Sequence, residues 1–243
     1  MARANRPARI RVGTSGFSHA RWRGLFYPRD LPPGDMLRHY STLLDCVEIG
    51  STATHPLTDR LATSWRRETP AEFAIVLKAP QRVTHEHRLD DARAALHEFA
   101  RCCAPLGSKL AALLFQLPPH LPADPTRLDA FLGGLPRGPA AIVDARHESW
   151  FDERVYAVLR RRRATLCVTD THDGTTPMVA TAPLGYIRLR RDDYDDAALA
   201  DWVARVRSEP GWRRAFVFVK HDQLGQAGVL ARRLRSLSDA SAA

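Results

Sequence analysis

No stretch of the 243 residues approaches the ~18 consecutive apolar residues that a membrane span requires. No apolar segment follows the basic start Met1-Ala-Arg-Ala-Asn-Arg6, so no secretory leader is expected either. The expectation is a soluble, cytoplasmic protein with no membrane partner. Cysteine is scarce. Cys46, Cys102, Cys103 and Cys167 show no Cys-x-x-Cys spacing, which argues against a zinc knuckle or a disulfide framework. Cys46 and Cys167 sit in apolar runs, where a thiol behaves as a small hydrophobe. Lysine is rarer still: of 36 basic residues only Lys78, Lys109 and Lys220 are lysines. Genomic base composition explains that ratio as well as selection for phosphate contacts does. Where arginine fills nearly every basic position, the remaining lysines are candidates for work that arginine cannot do. Internal repeats, linker-like stretches and composition breaks are also missing.

What is present is ordinary for a globular chain: 44% hydrophobic and 26% charged residues, with 14 Gly and 17 Pro. Disordered, collagen-like and coiled-coil chains are thereby excluded. Eight short apolar runs recur along the sequence: 9–13, 46–49, 73–78, 112–116, 141–145, 165–170, 186–190 and 215–220. They have the continuous apolar character of strands buried on both faces of a parallel sheet. Helical stripes lie between them, such as Met36, Leu37, Tyr40, Leu43 and Leu44, or Leu199, Trp202, Val203 and Val206. The Thr/Pro-rich gap 171–185 shows no such stripe. Eight βα units predict an α/β fold, a (β/α)8 TIM barrel of near-minimal size with eight parallel strands. One domain is expected across 1–243, with its core at about 9–237 and short loose tails. A doubly wound open sheet is the alternative, but Gly13-Thr-Ser-Gly16 is not its Gly-x-Gly-x-x-Gly turn.

In a barrel, alternate strand residues point inward and reactive groups gather at the C-terminal strand ends. Apolar Val47 and Ile49 turn Glu48 inward; Ile75 and Leu77 do the same for Lys78. By that parity Gln116, Asp144, Arg146, Asp170, Arg188 and Lys220 also enter one mouth. A buried ring of Glu, Asp, Lys and Arg is costly unless its members are paired or functional. It is either an ion-pair plug or a site for a small anionic ligand, and the parity favours the site.

The segments Val12-Gly-Thr-Ser-Gly-Phe-Ser, Trp22-Arg-Gly-Leu-Phe-Tyr-Pro, Val47-Glu-Ile, Lys78-Ala-Pro, Val83-Thr-His-Glu, Leu114-Phe-Gln-Leu-Pro-Pro and Arg146-His-Glu-Ser-Trp resemble the YecE-like family, domain of unknown function 72. The likeness runs from about Ile10 to Leu237. It implies a TIM barrel and brings no established reaction. Thr14, His85, His147, Trp150 and His221 join the expected binding set on these motifs and on their places beyond strand ends. The sequence also departs from the family pattern. Gly50, Ala53, Thr54 and His55 stand where the family carries Asn, an aromatic pair and Arg. Asp144-Ala145 replaces Glu-Phe, and Arg190-Arg191 replaces His-Gly. A shifted substrate or a lost activity is left open by these changes.

Three chemistries are compatible with the ring. Glu48 and Asp144 could work as acid and base with Lys78 and Lys220 as catalytic partners, while Arg146 and Arg188 hold phosphate or carboxylate groups. A desolvated Lys78 or Lys220 could form a Schiff base. His55, His147, His172 and His221 beside carboxylates could bind a metal, although no His-Glu-x-x-His motif is present and the cations would repel one. Glu86 is read as a helix cap and His85 as reaching the mouth. Trp22, Tyr27 and Trp150 either stack on a ligand or pack as a lid.

The formal charge of +9 and the pI near 10.0 invite a nucleic-acid reading. The basic runs Arg160–Arg163 and Arg232, Arg233 and Arg235 fall at helix C-termini, on the face away from the mouth. Asp192, Asp193, Asp195 and Asp196 offset Arg190 and Arg191, and the arm of Arg3, Arg6, Arg9 and Arg11 also enters from below. Specific nucleic acid is not expected. The expectation is an enzyme (hydrolase, lyase and isomerase all remain open) acting on a small anionic substrate, with no metal and no cofactor assigned. A non-catalytic anion-binding barrel is the first alternative, and a metal-dependent hydrolase or nuclease the second. Nothing in the sequence speaks to oligomeric state.

Overall fold

The computed structural model describes residues 7–220 and 225–241. Ten strands form one curled, mostly parallel sheet: β1 (Arg9–Ser15), β2 (Cys46–Ile49), β3 (Ala74–Lys78), β4 (Leu110–Gln116), β5 (Ala140–Asp144), β6 (Thr165–Leu166), β7 (Val168–Thr171), β8 (Gly174–Thr175), β9 (Leu184–Leu189) and β10 (Arg214–Lys220). Their order is β6-β5-β4-β3-β2-β1-β10-β9-β7-β8. Among the described residues seven α-helices accompany them: α1 (Met36–Leu43), α2 (Asp59–Glu68), α3 (Arg93–Cys103), α4 (Pro125–Gly133), α5 (Glu153–Arg162), α6 (Asp196–Ser208) and α7 (Ala227–Ala240).

β6, at one end of the sheet order, and β7, next to last at the other, are halves of one chain segment. β6 pairs with β5, placing Val143 beside Leu166, and β7 pairs with β9, placing Thr169 beside Arg188. Only Cys167 separates the halves, and its amide donates to the Val143 carbonyl at 2.9 Å. The fold is therefore α/β and barrel-like, not an uninterrupted ring of eight parallel strands. The interruption has a local cause. The Thr/Pro-rich segment after β7 makes no helix, and its threonines take up amides of the broken strand. Thr181 Oγ1 accepts from Leu166 N at 2.9 Å, and Thr176 Oγ1 from Thr169 N at 2.8 Å. Two-residue β8 then folds back antiparallel on β7.

Side-chain alternation divides the buried apolar residues into two clusters. Cys46, Val76, Leu114, Ile142, Tyr186 and Phe218 belong to the smaller one, enclosed by the sheet. Val47, Ile75, Leu113, Val143, Ile187 and Val217 belong to the larger one, packed with the helices. The apolar stripes did not reveal α2 and α4, whose buried faces are only Ala62 and Trp65 in one and Leu128, Phe131 and Leu132 in the other. Their start signals are local: Thr58 and Asp124 cap the first turns, and Pro125 opens α4. Glu86 caps no helix; it ends a single π-turn, Arg82–Glu86, well before α3 begins.

Gly13 is where β1 and β2 approach most tightly. It pairs in register with Cys46, and a Cβ on it would lie 2.1 Å from the Cys46 carbonyl oxygen. A backbone atom cannot swing aside, so Gly13→Ala should destabilise the protein by about 3 kcal/mol in urea unfolding. Gly50→Ala has nothing within 4 Å of its new Cβ and an ordinary φ of −84°. It should change stability by less than ~0.5 kcal/mol.

Candidate functional site

The centre of the mouth is a buried arginine between two carboxylates. Arg188 Nη2 donates to Glu48 Oε1 at 2.9 Å and Nη1 to Asp144 Oδ2 at 2.6 Å, with Gln116 Oε1 a further acceptor at 3.3 Å. All three ionised groups are at least 94% buried, Arg188 being 6%, Glu48 1% and Asp144 0% exposed. Tyr186 lies two residues before Arg188, one step deeper on the same face. Its hydroxyl donates to the second oxygen of Glu48 at 2.6 Å. Thr169 Oγ1 donates to Asp144 Oδ1 at 3.3 Å. Burial alone would raise the Asp144 carboxyl, but the Arg188 and Arg146 guanidiniums outweigh it and hold Asp144 below the usual carboxylate range. Burial also works against the Arg188 charge, yet Glu48 and Asp144 leave its pKa raised. Burial and the neighbouring Glu48 push the Tyr186 phenol well up, so it remains a donor.

Around this triad stand more cations than it neutralises. Lys78 ends β3, Lys220 ends β10, Arg146 follows β5, and Arg190 continues the inward parity two residues beyond Arg188. Arg146 Nε approaches Asp144 Oδ1 only to 3.6 Å. Among the described residues, four cations (Lys78, Arg146, Arg188, Arg190) surround two carboxylates, an excess of two positive charges, and exposed Lys220 stands at the rim with Asp192 as its acidic neighbour. Each depresses its neighbours. Burial and then Arg188 lower Lys78; burial, Arg188 and Arg146 lower Arg190; burial and Arg190 lower Lys220. Buried donor atoms are left without a hydrogen-bond partner among the described residues: Ser15 Oγ, Arg146 Nε and Nη2, Arg188 Nε and Arg190 Nη1. Such atoms are costly unless an acceptor arrives.

The expected site residues divide into those that meet here and those that do not. Glu48, Lys78, Gln116, Asp144, Arg146, Arg188 and Lys220 converge. His85 is half-buried in the turn after β3, where burial and then Lys78 and His120 lower its pKa. Thr14 does not converge. It shares register with Val47 and Val219 on the helix-facing side, and its Oγ1 lies 2.8 Å from the Tyr40 hydroxyl. Asp170 is likewise turned outward, in register with Leu189. It accepts from Tyr194 at 2.6 Å and Thr175 at 2.5 Å, and pairs with Arg191 at 3.3 Å. The inward residue of that strand is Thr169. Trp150 is 2% exposed, with its indole nitrogen bound to the Leu121 carbonyl, and Trp22 and Tyr27 are equally buried. All three pack as structure and offer no stacking face.

His147 spends Nδ1 on Ser149, taking its amide at 3.2 Å, and caps the turn before α5. His221 lies outside the described residues. For the metal alternative, His55 Nδ1 lies 3.0 Å from Thr54 Oγ1 and His172 pairs with Asp192. Among the described residues only exposed His172, Asp192 and Asp193 come together at ligand spacing. Sequence reading missed Tyr186, Thr169, Ser15 and Arg190. Tyr186 and Arg190 lie two residues on either side of Arg188, so the parity that located it also reaches them; Thr169 was passed over for its neighbour Asp170 and Ser15 for Thr14.

A cleft of about 1050 Å³ opens at the other end of the sheet, beside the start of β1. Three of its arginines hold carbonyls, Arg11 that of Glu72, Arg207 that of Ser238 and Arg235 that of Leu43, and Arg207 Nε is a buried atom there without a hydrogen-bond partner. Size alone would favour that cleft; the greater number of unfilled donors, five against one, favours the mouth.

A barrel-like α/β protein with a cationic mouth is the class these features define. The chain belongs to the family described as protein of unknown function DUF72, whose model matches residues 11–243. It is 27% identical over 144 residues to the UPF0759 protein YecE of Escherichia coli K12, a match covering 58% of this chain and 50% of the relative. The chain thus spans about half the length of the curated relatives it matches. A DUF72 family protein of Thermotoga maritima superimposes with a TM-score of 0.79 at 25% identity, covering 95% of this chain and 99% of the other. One from Enterococcus faecalis gives 0.79 at 18% identity, covering 95% of each chain, a likeness of fold. Among the described residues, no helix is long and apolar enough to cross a membrane.

Replacing Arg188 by Met strands two buried carboxylates and should cost about 3–5 kcal/mol in urea unfolding. The Asp144 pKa is lower folded than unfolded, so its contribution is complete above about pH 4 and disappears as pH falls through the folded value. Asp144→Asn should therefore flatten the fall of stability with acid over that range.

Proposed function

We propose that this protein is an enzyme of the (β/α)8-barrel type, with β6 and β7 acting as one interrupted strand. It works in the cytoplasm on a small substrate bearing phosphate or carboxylate, held at the C-terminal mouth. The observation that carries this reading is the cationic excess around Arg188, together with the unfilled donors of Ser15, Arg146 and Arg190. An oxyanion supplies charge and acceptors together, and hydrogen bonds between ionised partners are the strong ones. Arg188 keeps Glu48 and Asp144 apart and oriented by a separate bond to each. Asp144, kept ionised, suits a base or an electrostatic stabiliser. Glu48, tied to the Tyr186 hydroxyl, suits the partner proton carrier. Hydrolase, lyase and isomerase chemistry all use such a pair.

A non-catalytic anion-binding barrel is the second reading, favoured by the bonds that already occupy both carboxylates. The two separate in one experiment. Thermal stability is followed against inorganic phosphate and a panel of phosphorylated and carboxylated metabolites, and stabilising compounds are then assayed for conversion. Saturable stabilisation is expected, weakened about tenfold by Arg146→Ala or Arg190→Ala. Conversion abolished by Glu48→Gln in a folded protein marks the enzyme. Binding without conversion marks the passive barrel, and no stabilisation by any anion overturns both.

A further inference from the structure

The three lysines have different fates. Lys109 is a structural tie, its Nζ donating to the Arg66 carbonyl at 2.6 Å and to Thr69 O and Oγ1 at 2.5 and 3.0 Å. The other two stand at the mouth, and Lys78 is the more enclosed: it is half-buried, whereas Lys220 is exposed. The Lys78 backbone is fixed by the β3–β4 ladder opposite Leu114 and by Thr52 Oγ1, which donates to its carbonyl at 2.7 Å. Its amine is not fixed. Among the described residues no hydrogen bond or ion pair occupies Nζ.

The groups that face it come from every side of the mouth: Glu48 from β2, Asp144 from β5, Arg188 and Arg190 from the end of β9, and His85 from the turn that follows β3. Burial and Arg188 lower its pKa, against the pull of Glu48 and Asp144. An arginine here would serve the anion as well and would never lose its proton. In a chain that places arginine almost everywhere, the residue held in the middle of the cations is one that can become a free amine.

We infer that Lys78 is an amine nucleophile that forms an imine with an aldehyde or ketone group of the anionic substrate. This rests on the mouth being an anion site, since the surplus cations hold the phosphate or carboxylate while the carbonyl carbon meets Nζ. The Nζ lone pair forms the C–N bond, and the C=O π pair moves to oxygen, which takes one of the two protons that the nitrogen gives up. The resulting carbinolamine loses its hydroxyl, protonated by the second nitrogen proton, as water while the nitrogen lone pair closes C=N. Carbonyl and primary amine give imine and water, with no oxidant or reductant. Glu48 and Asp144, in the same mouth, are the groups placed to carry the protons.

The test uses two phosphates that differ at one carbon. Pyridoxine 5′-phosphate carries an alcohol and reports anion binding alone; pyridoxal 5′-phosphate carries an aldehyde. The full chain is incubated with a limiting amount of the aldehyde, reduced with borohydride and mapped by peptide mass spectrometry. The expected result is saturable stabilisation by pyridoxine 5′-phosphate, with label at Lys78 exceeding that at Lys109 or Lys220 about tenfold, because Lys109 Nζ is held by Arg66 and Thr69, Lys220 is exposed at the rim, and proximity to the bound anion raises the rate. Lys78→Arg should abolish the selective label and keep pyridoxine 5′-phosphate affinity within about threefold, because the charge is preserved. Label spread evenly, or concentrated on Lys220, with pyridoxine 5′-phosphate still bound, overturns the imine and leaves the anion site standing. Absence of both binding and selective label overturns the anion site itself.

Discussion

A guanidinium enclosed by a parallel sheet is tolerable only because two carboxylates meet it, and the arrangement of the mouth follows from that requirement. Removing any one of the three charges from water is expensive, and their attraction offsets this only with close, directed hydrogen bonds. Arg188 makes such bonds to Glu48 and Asp144, and Tyr186 and Thr169 satisfy oxygens that it leaves. With both carboxylates committed, nothing comparable remains for Arg146, Arg190, Lys78 and Lys220. The surplus positive charge is thus a consequence of the central pairing rather than a separate feature.

The sheet makes this concentration of charge possible. Most inward positions below the mouth are filled by apolar side chains, among them Leu114, Ile142 and Phe218, so the charged layer rests on a packed, largely apolar floor. The low polarity beneath it is what drives the Lys78 amine down and keeps the Tyr186 phenol protonated. The broken sixth strand does not disturb the layering. Cys167 stays in the inner cluster and Thr169 still faces Asp144, because threonine side chains replace the missing ladder bonds without shifting the alternation.

The contrast between the two ends of the sheet gives physical content to the arginine-rich composition. At the N-terminal end, arginines cap carbonyls and line an open cleft. At the C-terminal end, arginines and lysines crowd one another with donors unfilled. The same residue types are structural in one place and available for a ligand in the other, and only their partners distinguish the two.

Much of this was legible from the residues alone. Alternation of apolar and polar types, read strand by strand, was enough to turn Glu48, Lys78, Gln116, Asp144 and Arg188 toward one mouth, because a strand has only two faces and the helices claim the apolar one. The absence of a helix after the sixth strand was written in its threonines and prolines. The same rule failed at Asp170, where a polar residue was read as inward although Thr169 is. Outward polar residues can be satisfied by neighbours distant in sequence, and Asp170 is held by Tyr194 and Arg191. Thr14 was misplaced for the same reason, its partner being Tyr40 on α1. Composition and periodicity therefore determined the layers and the parity, which are local properties of the chain. Which charges pair, which donors stay unfilled, and which of three lysines keeps an unoccupied amine were decided only by tertiary structure, since each depends on groups brought together from strands up to 140 residues apart.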